Sequence, residues 1–251
     1  TYDGLNQLKT VTRGSDVWEY TYDNGGNILS VTKNGVAEKS YTYGDEGWMD
    51  KLTAFNGQAI TYDAIGNPLQ YRDGYNFTWS GGRQLGTISK GSDSISYTYD
   101  ADGLRTSKTV NGTTTDYYWL NGVLQGQKTG SEYIAFLYDG DGTAYGMLVK
   151  NGTTETYYYY IYNLQGDVTG ILDSDGNVVV SYSYNAWGKV ESVTGTMADT
   201  VGQKNPLRYR GYYYDSETGF YYLTSRYYDP EVGRFINADS QLNEKDGVLG
   251  Y

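Results

Sequence analysis

The sequence predicts an all-β fold, a solenoid-like succession of antiparallel β-hairpins. Three observations carry that expectation. Tyrosine and glycine dominate: 31 Tyr and 34 Gly stand against five Phe and three Pro in 251 residues. Tyr buries a large ring while keeping a hydroxyl for hydrogen bonding, and Gly supplies the positive φ of tight turns. A short motif also recurs along the chain. Finally, two turn signatures alternate with strand-period segments, and no helix-period pattern interrupts them.

The motif is seen in "YTYDNGGNILSV" from Tyr20, "ITYDAIGNPLQY" from Ile60, "YTYDADGLRTSK" from Tyr97, "FLYDGDGTAYGM" from Phe136 and "YSYNAWGKVESV" from Tyr182. Looser copies begin at Tyr41 and Tyr160. Its central aromatic falls at Tyr2, Tyr22, Tyr43, Tyr62, Trp79 and Tyr99, in steps of 17 to 21 residues. That is the size range of stacked repeat units.

One unit shows the physics. Tyr97 and Tyr99 alternate with Ser96 and Thr98, so a strand with one aromatic face is expected. Asp100 opens a turn, because its short carboxylate accepts backbone N–H groups just ahead of it. Gly103 closes that turn in the left-handed conformation of a bulged hairpin. A second strand, "LRTSKTV", runs to "NG" at 111–112, a type I′ hairpin signal. The same signal stands in "KNGV" at 33, "LNGV" at 120 and "KNGT" at 150. The repeat residues are Tyr22, Asp23 and Gly26; Tyr62, Asp63 and Gly66; Tyr99, Asp100 and Gly103; Tyr138, Asp139 and Gly142; and Tyr228, Asp229 and Gly233. Tyr22, Tyr62 and Tyr99 are expected to be largely buried between neighbouring hairpins, with their hydroxyls of lesser weight. Neither strand face is strongly apolar, which suggests a curved sheet around a wet interior rather than a sandwich core.

Charge and composition exclude several functions. The net charge of −11 argues against nucleic-acid binding, since a polyanion would be repelled. The chain has no Cys and no His. Disulfides, thiolate nucleophiles, Ser-His-Asp triads and the usual zinc sites are thereby removed. No apolar run is long enough for a membrane helix, so membrane insertion is not expected. No signal peptide opens the chain, and its abrupt start in a strand-turn pattern reads as an excerpt of something longer.

Other candidates have plainer explanations. "DGDGT" (139–143) and "DSDGN" (173–177) resemble the start of a calcium loop, but the twelfth position counted from Asp173 is Tyr184, not Glu. Turn chemistry accounts for them, and no metal or cofactor is expected. Sequons at Asn76, Asn111 and Asn151 are read as turns. Trp18, Trp48, Trp79, Trp119 and Trp187 would suit a glycan or a target-cell surface if exposed in one row; Trp79 occupies the repeat's Tyr position, which favours packing.

The iterated Tyr-Asp…Gly unit resembles the YD, or Rhs, repeat. The stretch "NPLRYRGYYYDSETGFYYLTSRYYDPEVGRFINAD" (205–239) is similar to the start of the Rhs repeat-associated core domain. The resemblance implies repeats over 1–204 and a truncated core domain over 205–251. It implies a spiral of β-hairpins forming a shell or barrel segment, which encloses a C-terminal toxin or effector domain of the parent chain and packs against neighbouring YD repeats. It further implies a secreted, cell-surface or wall-associated bacterial protein; surface adhesion or carbohydrate binding is the alternative.

The family's core domain also includes aspartic self-proteases that use an Arg and two Asp residues. The matching positions are Arg226 and Asp239. The second Asp belongs to a later D-P-x-G stretch that this chain lacks, and Ser240 replaces the usual Pro. The site is therefore expected to be inactive, and the chain no enzyme.

Overall fold

The computed structural model describes residues 1–239. Among them nearly all regular structure is β. The helical pieces are the four-residue Val201–Lys204 and the 3₁₀ turns Arg72–Gly74 and Tyr209–Gly211. No described helix is long and apolar enough to cross a membrane.

The chain divides into two compact units. Among the described residues, one comprises 1–78, 89–91 and 237–239. Its strands Thr10–Arg13, Asp16–Tyr22, Ile28–Lys33, Val36–Thr42, Ala54–Phe55 and Gln58–Ala59 pair antiparallel in chain order. The other comprises residues 79–88 and 92–236. There the strands Asp93–Tyr99, Arg105–Val110, Thr113–Leu120, Val123–Thr129, Glu132–Tyr138, Ala144–Asn151, Thr154–Tyr162, Val168–Leu172, Val178–Tyr184 and Val190–Thr194 follow the same rule. A separate small sheet is built from Tyr213–Asp215, Phe220–Tyr222, Tyr227–Asp229 and Arg234–Phe235. In neither unit does the strand order close on itself, so the fold is a shell segment and not a closed barrel.

The Tyr-Asp turns form by local chemistry. Asp100 Oδ1 accepts the N–H groups of Asp102 (3.0 Å) and Leu104 (2.9 Å), and Gly103 turns back at φ +82°. Asp23, Asp63, Asp139 and Asp173 accept the corresponding pair of N–H groups. Asn163 and Asn185 substitute for Asp in two turns. At Asp173 the Asn177 amide, with the turn's N–H groups, holds the carboxyl below the usual carboxylate range. The first carboxylate of each calcium-like stretch, Asp139 and Asp173, thus bonds to its own backbone.

The second turn type splits in two. Asn34, Asn56, Asn111 and Asn121 adopt positive φ, as a type I′ turn requires. Asn151 differs: it ends its strand and pairs with Thr154, and Gly152 (φ +61°) opens the turn instead. A Gly at the first central position gives a type II′ turn, so the reading of "KNGT" as I′ is corrected.

The repeat aromatics tie successive hairpins together. Tyr22, Tyr43, Tyr62, Tyr99, Tyr138 and Tyr184 donate their hydroxyls to the carbonyls of Leu8 (2.7 Å), Ile28 (3.1 Å), Leu52 (2.6 Å), Leu85 (2.9 Å), Leu124 (2.6 Å) and Val168 (2.6 Å). Tyr162 does the same to Ala144. Trp119 takes the same role with its indole N–H, on the Arg105 carbonyl at 2.8 Å. Tyr22, Tyr62 and Tyr99 are partly covered, and the rings two residues earlier, Tyr20 and Tyr97, are the more deeply buried ones. The hydroxyl carries more weight than expected, because it satisfies a carbonyl of the preceding unit. The interior is also drier than expected, with Met147, Val168, Ile171 and Val180 fully buried.

Two substitutions separate ring from hydroxyl. Tyr138→Phe should lower urea-unfolding stability by about 1 kcal/mol, the net worth of one hydrogen bond. Tyr99→Ala should cost about 3 kcal/mol or more, by removing ring and bond together. If both variants unfold at the wild-type midpoint, the inter-hairpin tie is not a stabilising element.

Candidate functional site

The most concentrated chemistry lies in the second unit, where the small sheet meets the hairpin strands. Arg105 is fully buried. A register shift at Thr98/Tyr99 resets the strand alternation, so Arg105 and Lys108, three apart, share one face. Arg105 Nη1 bonds Asp215 Oδ2 at 2.6 Å and Nη2 bonds Oδ1 at 3.2 Å. This is the paired geometry in which guanidinium and carboxylate match best. Lys108 Nζ reaches Asp215 Oδ1 at 2.7 Å. It also forms an ion pair with Glu217 Oε1 at 2.7 Å.

Tyrosines close the site. The Arg105 guanidinium carbon lies 4.4 Å from the ring centre of Tyr222, 4.6 Å from Tyr117, 4.8 Å from Tyr213, 5.5 Å from Tyr97 and 5.9 Å from Tyr227. All lie within cation–π range. Tyr222 and Tyr227 also accept hydrogen bonds from Arg105 N–H groups, at 2.9 and 3.3 Å. Tyr99 and Tyr227 hydroxyls meet at 3.1 Å. Tyr117 donates to Tyr213, which donates to Gln127 Oε1 at 2.7 Å. Trp119 holds the Arg105 carbonyl from behind.

Burial sets the electrostatics. It works to raise the Asp215 carboxyl, but Arg105 and Lys108 override it and hold the group below its usual range. Burial and the adjacent Asp215 charge push Glu217 up. Burial also raises the tyrosines; the Tyr222 phenol is pushed up to about 12. Arg105 Nε and the Tyr97 hydroxyl are buried there without a hydrogen-bond partner, but the paired Arg105–Asp215 contact makes the cluster a clamp between two sheets.

A second clamp lies at residues 201–214. Arg208, also buried, donates to the carbonyls of Asn205 (3.2 Å) and Gly202 (3.1 Å) and stacks on Tyr214 at 4.4 Å and Tyr182 at 5.1 Å. Tyr182 donates to Gly202 and Tyr160 to Asn205 Oδ1. Tyr221 and Tyr228 donate to the carbonyls of Gly188 and Trp187.

The residues singled out by sequence are placed as follows. Arg226 is half-buried, with its guanidinium carbon 3.7 Å from the Phe235 ring centre. Asp239 is half-buried and belongs to the first unit, whereas Arg226 belongs to the second. Ser240 lies outside the described residues. Asp229 is fully buried; its Oδ1 accepts the Glu231 N–H, and its carbonyl accepts the Gly233 N–H at 2.7 Å. Gly233 is required twice over, by φ +78° and by the Trp187 ring 3.2 Å from where a Cβ would stand. None of the five Trp is exposed. The exposed aromatics in strands are instead Tyr118, Tyr145, Tyr157 and Tyr159. Sequence reading missed Arg105, Lys108 and Asp215. The available signal was an Arg and a Lys inside a strand of the repeat, opposite a Tyr-Asp pair in the core-like stretch.

An open, tyrosine-tied hairpin sheet with a small sheet clamped to it defines a YD-type shell. The teneurin YD-shell family model matches residues 1–246, and the chain belongs to that family. It is 38% identical to the tRNA nuclease WapA of Bacillus subtilis strain 168, over 95% of this chain and 10% of that protein. It is 29% identical to the double-stranded DNA deaminase toxin A of Burkholderia cenocepacia, over 93% of this chain and 18% of the other. A Tc holotoxin pore structure from Photorhabdus luminescens superposes with a TM-score of 0.72 at 19% identity, covering 94% of this chain and 12% of that one. The chain thus spans about a tenth of the length of the WapA proteins it matches.

Breaking the clamp should be costly in a specific way. Asp215→Asn leaves Arg105 buried without its counter-charge and should cost about 3–5 kcal/mol in urea unfolding. The pH dependence follows the tyrosines. Tyr22, Tyr138, Tyr162 and Tyr222 are raised to about 12 in the folded state, against about 10 unfolded. Their contribution is complete below pH ~10 and is lost as pH rises toward ~12, so stability should fall across that window. Ultraviolet phenolate titration that completes near pH 10 without unfolding would contradict this.

Proposed function

We propose that this chain is a non-catalytic wall segment of a YD shell that encloses and delivers a toxin or other effector carried C-terminally by the parent protein. The observation that carries the reading is the caged Arg105–Asp215 pair, which fastens residues 213–229 onto the hairpin sheet of the same unit. In this reading residues 1–204 form repeat wall and residues 205–251 begin the core domain that leads to the effector. The relatives support delivery, being named as a nuclease and a deaminase toxin, and they support secretion from a bacterium. Association with the cell wall or cell surface is part of this proposal.

Enclosure is tested in the parent protein by limited proteolysis. The effector should resist digestion in the wild type and become sensitive in Asp215→Asn. An effector digested as fast within the wild-type parent as in isolation would refute the shell role.

We further propose that Arg226 and Asp239 do not cleave these 251 residues, among which no D-P-x-G stretch occurs to bring the family site's second carboxylate. The intact mass of the 251-residue chain should stay constant on prolonged incubation between acidic and neutral pH. A specific fragment that forms in the wild type and is lost in Asp239→Asn would show self-cleavage.

A second reading, adhesion to a glycan or target-cell surface, draws on Tyr118, Tyr145, Tyr157 and Tyr159, each more than a third exposed. Tyr145 and Tyr159 lie nearly parallel, 6.5 Å apart. Glycan-array binding that is lost on Tyr157→Ala and Tyr159→Ala, with effector protection unchanged, would favour it.

A further inference from the structure

The chain contains six Asn-Gly pairs. One, Asn24-Gly25, lies inside the Asp23 turn, where the Gly25 nitrogen that would attack is itself bonded to Asp23 Oδ1 at 2.9 Å. The other five, at residues 34, 56, 111, 121 and 151, stand at hairpin turns. All five asparagines are exposed, so exposure does not distinguish them. Their side chains do. Asn34 Oδ1 accepts the Val17 N–H at 2.8 Å, and its Nδ2 donates to Asp16 at 3.0 Å. Asn111 repeats the arrangement with Ser94 at 2.9 Å and Asp93 at 2.9 Å. Asn56 Oδ1 accepts the Ser40 N–H at 2.8 Å. In each case the backbone N–H of the same Asn donates to the carbonyl of the same partner residue, so the side chain extends the strand ladder. Asn121 and Asn151 make no side-chain hydrogen bond among the described residues.

We infer that Asn121 and Asn151 are sites of spontaneous conversion to aspartate and isoaspartate, and that Asn34, Asn56 and Asn111 are protected by their clips. The main-chain nitrogen of the following Gly attacks Cγ of the Asn. A C–N bond forms, the Cγ–Nδ2 bond breaks, and the amide nitrogen leaves as ammonia with the proton from the Gly nitrogen. Water then adds to either carbonyl of the cyclic imide and breaks one ring C–N bond. Attack requires Cγ to swing onto the Gly nitrogen. At the clipped positions at least one hydrogen bond to the neighbouring strand must first be broken. Glycine lacks a side chain to obstruct the approach, so among the four type I′ turns the clip separates Asn34, Asn56 and Asn111 from Asn121. Conversion adds a carboxylate to a chain already at −11. The isoaspartate form also inserts a methylene into the main chain. At Asn121 this falls two residues from Trp119, the side chain that holds the Arg105 carbonyl.

The test is peptide mapping by mass spectrometry after incubation of the folded chain in mildly alkaline buffer, with isoaspartyl methyltransferase labelling. Conversion at Asn121 and Asn151 should run at least about ten-fold faster than at Asn34, Asn56 and Asn111, the effect of one net hydrogen bond on a barrier. In concentrated urea all five rates should converge. Asp93→Ala, which removes half of the Asn111 clip, should speed conversion at Asn111 in the folded chain. Folded-state rates within about two-fold of one another, faster conversion at the clipped sites, or a spread that persists in urea would each overturn the inference.

Discussion

The structure depends on one constraint: a sheet built from tyrosine must find partners for its phenols, and it does so for the repeat hydroxyls while leaving that of Tyr97 without one. A buried ring contributes as a hydrophobe, but a hydroxyl left dry and unpaired costs about 1–3 kcal/mol. The chain meets this by sending the repeat hydroxyl to a carbonyl of the preceding hairpin, from Tyr22 on Leu8 to Tyr184 on Val168. Strand pairing orders neighbours along the sheet. The phenol bonds tie each turn to the unit before it, so the repeat carries its own register. Where Trp119 replaces Tyr, the indole N–H makes the same bond to Arg105, so the requirement is for an aromatic with a polar tip.

The caged arginine extends that logic to a full charge. Desolvating a guanidinium is expensive, and a buried ion pair is weak evidence for net stability. Here the cost is offset on three sides at once: a paired carboxylate contact from Asp215, five aromatic faces, and the neighbouring Lys108–Glu217 pair. What such a cluster supplies above all is specificity. An aliphatic contact between the small sheet and the hairpins would tolerate sliding by a residue. A guanidinium that must meet Asp215 while Tyr222 accepts from its own backbone N–H permits one alignment.

Much of the fold was legible because it is local. The Asp100–Gly103 turn and the Asn111–Gly112 turn are dictated by residues within a few positions, and strand order follows once sequential hairpins are granted. The turn at Gly152 was misread because Asn-Gly names two turn types that differ only in which residue carries positive φ. The clamp was not legible, because it is long-range. Arg105 and Asp215 are 110 residues apart, and nothing local distinguishes Arg105 from a solvated strand cation. The inward turn of Arg105 rests on the register shift at Thr98/Tyr99, which alternation alone does not reveal.

Asp215 shows how one motif serves two ends. It follows Tyr214 as Asp100 follows Tyr99, so by sequence it is another repeat turn. In the repeat the closing Gly lies three residues after the Asp, and Oδ1 accepts the N–H groups two and four residues on. After Asp215 the closing Gly219 lies four residues on, and both the Thr218 and Gly219 N–H groups go to the Asp215 main-chain carbonyl. The longer turn thus satisfies its own N–H groups without the side chain. The carboxylate is released from turn duty and is available to Arg105 and Lys108. The equally long turn at Asp229 keeps its carboxylate on the Glu231 N–H, so turn length permits the release and the facing Arg105 and Lys108 complete it; the Tyr rings already present in the repeat supply the cage that makes a buried charge tolerable there.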